Sequence, residues 1–244
     1  MVDWHCHILT GLDDGPKNME QSLSMASSLA TAGFTTVYCT PHLIPGSYDA
    51  TNEDVCLAVA ELQEQLSANN IALTLFAGRE YRLDEYLLDA LQTPLPLGDS
   101  GLILVEIPDY LSGETVCNLA YGVVRAGFTP VIAHPERCPL LTPPVYRKVG
   151  TGILGTIGSL LDGHCGRRTR PHRLSDRSGN LLLDYLRDLG CAFQGSLGSF
   201  NGFYGHKVKT AAESFRRLGI YDRYGSDMHN PKQANVLLGG ALPH

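Results

Sequence analysis

The sequence contains no hydrophobic run that approaches the roughly 20 residues of a membrane-spanning helix. Its first residues also lack the basic start, the apolar stretch and the small-residue cleavage site of a secretory signal peptide. We therefore expect a chain that does not insert into a membrane and that acts in the cytoplasm. The seven cysteines agree with this, because they form no CxxC pair and are odd in number. Scattered free thiols favour a reducing compartment over a disulfide framework.

Basic residues are not in excess either. The chain has 19 Lys and Arg against 25 Asp and Glu, which gives a net charge of −6 at pH 7. A general nucleic-acid-binding protein usually shows a basic surplus, so no nucleic-acid partner is expected. With 43% hydrophobic and 18% charged residues, the composition is that of a globular enzyme. We expect a single domain over residues 1–244.

What the sequence does contain is an alternation of short β-rich runs with amphipathic helical stretches. The predicted strands cover residues 2–5, 35–40, 71–78, 102–107, 129–134, 191–196 and 223–227. The clearest predicted helices cover residues 18–33, 52–70, 114–127 and 206–219. Repeated strand–helix units indicate an α/β fold with a parallel sheet, and their number predicts a closed or nearly closed β/α barrel.

The opening segment VDWHCHI, residues 2–8, places two histidines one residue apart. Side chains alternate between the two faces of a strand, so His5 and His7 point the same way. Two imidazoles on one face can share a metal ion, but the pair alone is equally compatible with a packing role. The residue types at the ends of the other predicted strands distinguish between these two interpretations.

Side chains of the metal-binding types follow six of the predicted strands. In a β/α barrel, the carboxyl ends of the strands and the loops after them form the active site. In chain order, the polar residues at these ends are His5, His7, Asp13, Asp14, His42, Glu80, Glu106, His134, Glu136, Arg137, Asp227 and His229. A capping role would explain any one of them, but not the gathering of so many at one end of separate strands. The sequence therefore predicts a metal centre.

The predicted donors are imidazole and carboxylate groups with no obvious thiolate, which suits Mn, Fe or Zn. They are too many for one ion, so two or three ions with a bridging carboxylate are expected. Clustered divalent ions lower the pKa of a bound water and hold the oxygens of an in-line displacement at phosphorus. The predicted chemistry is hydrolysis of a phosphoester by a metal-bound hydroxide.

Several motifs together resemble the polymerase-and-histidinol-phosphatase (PHP) superfamily. These motifs are HCHILTGLDDGP, CTPH, GREY, AHPER and GSDMHNP. Their spacing is most similar to that of manganese-dependent bacterial tyrosine-protein phosphatases, which are associated with capsule and exopolysaccharide synthesis. The resemblance covers residues 1–138 and 190–231 and implies a distorted seven-stranded β/α (TIM-like) barrel of the PHP type. It also implies Mn²⁺ as the metal and a phosphotyrosine protein, such as the tail of a bacterial tyrosine kinase, as the partner.

The same resemblance implies a trinuclear site. The three ligand sets would be His5, His7, Glu80 and Asp227; Glu80, Glu106 and His134; and Asp14, His42 and His229. Glu80 would bridge the first two ions, and Asp13 would stay outside the ligand set. Arg137 resembles the family's phosphate-binding arginine, whose fork of donors fits phosphate oxygens. With Asp14, His42 and His229, it is expected to act on the phosphate.

The sequence departs from the family in two informative places. Residues 139–190 form an insertion-like segment with eight Lys and Arg against four Asp. We interpret this segment as a solvated excursion, with a basic lip that attracts an acidic substrate as the alternative. Past the last histidine, the family's other phosphate-binding arginine is missing. Only Lys232 is available there, and lysine cannot form the same bidentate fork.

The sequence also suggests alternatives to this mechanism and function. The segment HCGRRTRP, residues 164–171, resembles the HCx5R loop of cysteine-dependent phosphatases, but Pro171 stands where the arginine is required. We therefore do not expect a thiolate mechanism at Cys165. A small-molecule phosphatase of the histidinol-phosphatase type and phosphodiester or nuclease chemistry are the enzymatic alternatives. A metal-binding regulatory protein with weak turnover is the alternative from another class.

Overall fold

The computed structural model describes residues 1–142 and 178–239. The strands in these ranges are β1 (Val2–Cys6), β2 (Thr36–Cys39), β3 (His42–Leu43), β4 (Thr74–Ala77), β5 (Glu80–Arg82), β6 (Leu102–Glu106), β7 (Thr129–Ala133), β8 (Ala192–Ser196) and β9 (Arg223–Gly225). The helices are α1 (Met19–Thr31), α2 (Asn52–Ala68), α3 (Leu87–Ala90), α4 (Gly113–Arg125), α5 (Leu181–Asp188), α6 (Leu197–Asn201), α7 (His206–Arg217) and α8 (Ala234–Leu238). None of these helices is long and apolar enough to cross a membrane.

The predicted strands and helices are all present, with boundaries that differ by a few residues. The prediction missed β3 and β5, which begin shortly after β2 and β4 end. They contain two and three residues, which is too short for an alternating pattern to be recognised. Both carry predicted metal ligands, because His42 opens β3 and Glu80 opens β5.

Every strand pair is parallel, which confirms the α/β class. One sheet has the order β1-β2-β4, and the other has the order β3-β5-β6-β7-β8-β9. Strand pairing among the described residues therefore gives two sheets and not one continuous seven-stranded barrel. The chain passes from the first sheet to the second between β2 and β3 and again between β4 and β5. The carboxyl ends of all these strands meet at one edge because the strands run in the same direction.

Local sequence signals explain where the principal helices begin and end. The Asn18 side chain accepts a hydrogen bond from the backbone of Gln21 at the start of α1. At the start of α2, Thr51 and Asp54 form a reciprocal capping box. Ser112 accepts from the backbone of Thr115 at the start of α4. Such caps satisfy backbone donors that have no partner within the helix, and they fix the point at which each loop ends.

Strand β6 of the larger sheet is buried on both faces, as expected for a strand in strand–helix units. In β6, Ile103 and Val105 pack into the cluster formed with α3, α4 and α5, while Leu104 faces the opposite way. Leu104 packs with Val131 and with the rings of Trp4 and Tyr38 inside the fold. Below the open edge, the inner face of β6 is thus covered by apolar side chains.

The segment 139–190 contains a structured element at its carboxyl end. Helix α5 begins at an Asn180 cap and buries Leu183 and Leu186 in the main hydrophobic cluster. This end of the segment is therefore part of the fold and not a solvated excursion. Residues 143–177, which include Cys165 and most of the basic side chains of the segment, lie outside the described residues.

Candidate metal centre

The two histidines of VDWHCHI lie on one face, as the strand period predicts. The His5 and His7 Nε2 atoms are 3.0 Å apart, and both residues are completely buried. Between them, Cys6 packs into a hydrophobic cluster on the other side of the strand. Two imidazole nitrogens that face each other at this distance leave a position for a shared cation.

Glu80 lies at the middle of the centre. Its Oε2 atom is 3.1 Å from His5 Nε2, 3.2 Å from His7 Nε2 and 3.1 Å from His42 Nδ1. Its Oε1 atom is 3.1 Å from His134 Nε2. One buried carboxylate is thus surrounded by four imidazole rings from the ends of three strands, β1, β3 and β7. This arrangement suits a carboxylate that bridges two ions.

The donor atoms fall into three overlapping groups, in each of which all atoms lie within 4.8 Å of one another. These groups are His7, Asp14, His42 and His229; His5, His7 and Glu80; and His42, Glu80 and Glu106. Asp227 Oδ1 lies 3.5 Å from His5 Nε2 and 3.6 Å from His7 Nε2. All nine sequence-predicted ligands are therefore brought to one centre. His134 lies beside Glu80, as expected. The grouping differs from the expectation in that Glu106 is grouped with His42, and His7 with Asp14, His42 and His229.

Two buried side chains hydrogen-bond to the Nδ1 atoms of His5 and His7, on the side of each ring that faces away from the centre. Asp13 Oδ2 is 2.7 Å from His7 Nδ1 and also accepts the backbone N–H of His42. Asp13 is therefore outside the donor groups, where the sequence analysis expected it. Gln194 Oε1 is 2.8 Å from His5 Nδ1. Each contact fixes the ring so that Nε2 faces the centre.

Sequence reasoning missed Gln194. The available signal was weak: it is the one residue with a polar amide in the predicted strand 191–196, and it is completely buried. Its Nε2 donates to the Gly195 carbonyl, so the amide orientation is fixed and Oε1 is left to accept from His5. A buried strand amide without a function would be an unusual choice for this position.

Gln194→Leu is expected to lower metal affinity by roughly 10- to 100-fold, as is typical when a partner behind a metal-binding histidine is lost. Leucine has a similar volume but cannot accept the His5 Nδ1 hydrogen bond. The measurement is a competitive titration with a chromophoric chelator. Gln194→Glu, which keeps an acceptor oxygen for His5 Nδ1, is the matched control and should retain most of the affinity. Equal metal affinity in Gln194→Leu and the unaltered protein would show that the Gln194 hydrogen bond to His5 does not support metal binding.

Imidazole protons balance the charge of the buried carboxylates in the centre. Burial acts to lower the pKa of His5, but Glu80 and Asp227 outweigh it and raise this pKa to about 8. Burial acts to raise the pKa of Glu80, whereas the His5 and His42 charges hold it well below its usual range. Burial and the neighbouring His7 lower the pKa of His229 to about 4. The centre is thus a concentrated anionic site in which divalent cations would replace protons.

Two of the predicted ligands have unusual backbone conformations. His134 has φ of 32° and Asp227 has φ of 52°, in the left-handed region that non-glycine residues rarely adopt. The Asp227 conformation is supported by a 2.7 Å hydrogen bond from its backbone N–H to the His5 carbonyl. Such conformations cluster at functional sites, where the surrounding structure holds a side chain in a required direction.

A cavity of about 440 Å³ opens onto the donor groups. Asp14, with its side chain 51% exposed, lies at its mouth beside the half-buried His42 and His229. Arg137 forms part of the wall, where its Nη1 donates to Asp227 Oδ2 at 2.5 Å. Its guanidinium also lies over the Tyr204 ring, 4.5 Å from the ring centre. Tyr204 was not anticipated, and its hydroxyl donates to the same Asp227 oxygen at 3.1 Å.

Two residues considered from the sequence lie elsewhere. The Glu136 carboxylate accepts from the backbone of Ser196, from the Ser199 hydroxyl and from the Tyr221 hydroxyl. It therefore anchors the turn that carries Arg137 and does not face the donor groups. Lys232 lines a separate surface cleft between α1 and the turn Pro231–Gln233.

The donor set fits hard to borderline divalent ions. The three groups contain imidazole nitrogen and carboxylate oxygen only, because Cys6 and Cys39 are buried in a hydrophobic cluster behind the strands. Such sets suit Mn, Fe or Zn. Bound ions would also relieve the close approach of the His5 and His7 nitrogens.

Comparison with known proteins agrees with this geometry. Tyrosine-protein phosphatase YwqE of Bacillus subtilis is 29% identical over 99% of this chain and 82% of its own length. Putative tyrosine-protein phosphatase CapC of Staphylococcus aureus is 28% identical over 74% of this chain and 73% of its own length. Tyrosine-protein phosphatase CpsB of Streptococcus pneumoniae is 30% identical over 56% of this chain and 57% of its own length.

A solved structure from the study of YwqE and CpsB, described there as unique metal-dependent tyrosine phosphatases, has the same fold. It matches with a TM-score of 0.73 and 26% identity, over 98% of this chain and 86% of that chain. The family model for capsular polysaccharide synthesis proteins of the CpsB/CapC type matches residues 1–149, which is more than half of the sequence. The chain therefore belongs to the CpsB/CapC family.

Proposed function

We propose that this protein is a metal-dependent protein-tyrosine phosphatase, a phosphoric monoester hydrolase. The observation that carries the proposal is the buried Glu80 carboxylate within 3.2 Å of four imidazole rings, below an open cavity. The named relatives are tyrosine-protein phosphatases, and the matching structure is described as metal-dependent. The nine donors and Arg137 are the proposed site residues.

The residues of the cavity have separable roles in this reaction. Bound divalent ions would lower the pKa of a coordinated water and share the charge of the phosphate oxygens. Arg137 would donate to the phosphate oxygens and hold the phosphoryl group in line. Phe203 and Tyr204 line the same cavity and offer aromatic surface to the substrate ring. The leaving phenolate has a conjugate-acid pKa of about 10, so it can depart with little help from a general acid.

The half-buried residues at the cavity mouth are the ones that a substrate can reach. Asp14, His42 and His229 meet there, and His229 Nε2 is 3.4 Å from Asp14 Oδ1. Because the pKa of His229 is lowered to about 4, this ring is neutral near pH 7 and available as a ligand. We place the third ion at these three residues, with His7 beside them.

Manganese is the proposed metal, with iron or zinc as chemically acceptable substitutes for the same nitrogen and oxygen donors. The proposed substrate is a phosphotyrosine protein, and a bacterial tyrosine kinase that controls capsule or exopolysaccharide synthesis fits the family's context. The buried free cysteines Cys6, Cys39, Cys138 and Cys191 fit a reducing compartment, which supports a cytoplasmic location.

We also infer that the two sheets together form one distorted barrel within a single domain. The ends of the first and last strands, β1 and β9, lie side by side. The His7 N–H donates to the Met228 carbonyl, and the Asp227 N–H donates to the His5 carbonyl. On the other side, the Glu80 N–H donates to the carbonyl of Pro41, which lies in the connection from β2 of the first sheet to β3 of the second. These bonds link neighbouring strand ends where regular pairing is interrupted.

Chelation is expected to abolish hydrolysis of a phosphotyrosine peptide, and added Mn²⁺ is expected to restore it. Cys165→Ser should keep a rate close to that of the unaltered protein, because the HCx5R spacing fails at Pro171. Metal analysis of the purified protein should accompany both assays, with histidinol phosphate as a comparison substrate. Loss of activity in Cys165→Ser together with insensitivity to chelators would refute the metal mechanism.

A further inference from the structure

A second cavity, of about 280 Å³, opens beside the metal cavity. The two cavities share Glu106, His134 and Arg137 as common lining residues. Beyond this shared wall, the second cavity is lined by Arg82 at the end of β5 and by Asp109 and Tyr110 after β6. A ligand in the metal cavity could therefore extend past Arg137 into the second one.

Strand register explains why Arg82 lies in this second cavity. Arg82 is two residues past Glu80 on β5, so both side chains leave the same face of the strand. Tyr81 between them packs into the main hydrophobic cluster on the opposite face. Arg82 pairs in register with Glu106 on β6, whereas Glu80 pairs with Leu104. Arg82 is therefore two residues closer to the open edge than Glu80. The Arg82 guanidinium thus lies beside the metal cavity but does not line it.

The Arg82 guanidinium has no hydrogen bond or ion pair with any residue in the ranges 1–142 and 178–239. Its Nε atom is completely buried and has no acceptor there. Asp84 is close enough for the Arg82 charge to affect its pKa, but it forms no ion pair with it. Leaving a buried donor unpaired is unfavourable, because the donor has lost its water without gaining a partner. By contrast, Arg137 is paired with Asp227.

We propose that the second cavity is a subsite for an anionic side chain that flanks the phosphotyrosine of the substrate. This proposal rests on the proposed phosphatase function, since it describes how the same substrate continues beyond the cleaved group. The planar guanidinium of Arg82 would receive the carboxylate or phosphate oxygens as a bidentate pair. Because Arg82 does not line the metal cavity, it would bind the neighbouring residue and not the phosphoryl group that is hydrolysed.

The rest of the cavity is consistent with a peptide ligand. Tyr110 is 68% exposed at the rim and can pack against a peptide backbone. Asp109 is exposed at the same rim and would repel an anion at the outer end. Glu106 would have its charge offset by the ions that it is proposed to bind. The favourable position for an anion is therefore the inner end of the cavity, between Arg82 and Arg137.

The test compares matched phosphotyrosine peptides in the manganese-loaded protein. One peptide has alanine on both sides of the phosphotyrosine, and the others carry a single glutamate, or a non-hydrolysable phosphonate analogue of phosphotyrosine, at each flanking position. The readout is the ratio of kcat/KM for the anionic peptide to that for the alanine peptide. We expect a ratio of roughly 10 or more for the best position in the unaltered protein, typical of a hydrogen bond to a charged group.

Arg82→Gln should reduce this ratio to about 1, and Arg82→Lys should keep part of it because the charge remains. Arg125→Gln is the matched control: Arg125 is exposed at the end of α4, away from the open edge, and its loss changes net charge equally. A preference confined to the phosphonate peptide would identify phosphate as the bound group, and a preference shared with glutamate would identify any anion.

The proposal is overturned if no flanking anion raises kcat/KM, or if Arg82→Gln keeps the full ratio. Failure of the proposed function is distinguishable, because it would appear as no phosphate release from the alanine peptide as well. In that event, fluorescence anisotropy with labelled phosphonate peptides still decides the matter. A charge preference in binding that Arg82→Gln removes would support the subsite, and its absence would exclude it.

Discussion

Replacing Glu80 by glutamine is expected to remove bound metal and to reduce turnover by roughly 10³-fold. The two carboxylate oxygens of Glu80 lie within 3.2 Å of ring nitrogens of His5, His7, His42 and His134. Glutamine has the same shape, but it is neutral and offers one acceptor oxygen in place of two. Without the bridging charge, two neighbouring divalent ions would repel each other with nothing between them to offset the repulsion.

The expected size follows from the contribution of a metal to transition-state stabilisation. That contribution is several kcal/mol, and each 1.36 kcal/mol corresponds to about a tenfold change in rate. Metal content per chain and kcat should therefore fall together in Glu80→Gln. Glu61→Gln, an exposed change of the same chemistry on α2, is the control and should alter neither quantity. Unchanged metal content in Glu80→Gln would show that Glu80 does not bridge.

Arg137→Lys is expected to lower kcat/KM for a phosphotyrosine peptide by roughly 10²-fold or more, the effect of losing one preorganised donor. Arg137 donates to Asp227 through one nitrogen and lies over the Tyr204 ring, so its remaining donors are directed by two fixed contacts. Lysine keeps the charge but has no planar fork and cannot satisfy Asp227 and a phosphate oxygen in the same way. The contact matters most when charge on the phosphate is redistributed in the transition state.

Lys232→Ala provides the comparison for this prediction. Lys232 occupies the region in which the family's second arginine would be expected, but its side chain lines a separate cleft next to α1. We therefore expect Lys232→Ala to change kcat/KM far less than Arg137→Lys. The measurement is kcat/KM of both variants on one phosphotyrosine peptide, with the metal content checked in each variant. Near-normal activity in Arg137→Lys would mean that the metals alone position the phosphate.

The sequence was sufficient to predict the α/β class, the main strands and helices, and nine side chains that the fold gathers at one place. This succeeded because two periodic signals coincide. Strand-like runs alternate with amphipathic helices, and metal-binding residue types recur where the runs end. Parallel strands place their carboxyl ends at one edge, so the position of a ligand along its own strand is enough to assign it to the site.

The short strands β3 and β5 and the division into two sheets could not be predicted. Both strands are too short to carry a pattern, and their formation depends on pairing with neighbours that are distant in the sequence. His42 pairs in register with Glu80, and Arg82 pairs with Glu106. These pairings determine which donors are adjacent, and they explain why Glu106 meets His42 while His134 shares the Glu80 carboxylate.

The sequence by itself determined which residue types stand at the strand ends, and hence that they could form a candidate metal centre. The tertiary structure alone decided the surroundings of those residues: Gln194 behind His5, Tyr204 beneath Arg137, and, in a neighbouring cavity, an Arg82 side chain with no partner within residues 1–142 and 178–239. The physical reason is the range of the interactions. Strand and helix patterns are local properties of the chain, whereas hydrogen bonds, ion pairs and burial depend on which distant segments the completed fold brings within a few ångströms.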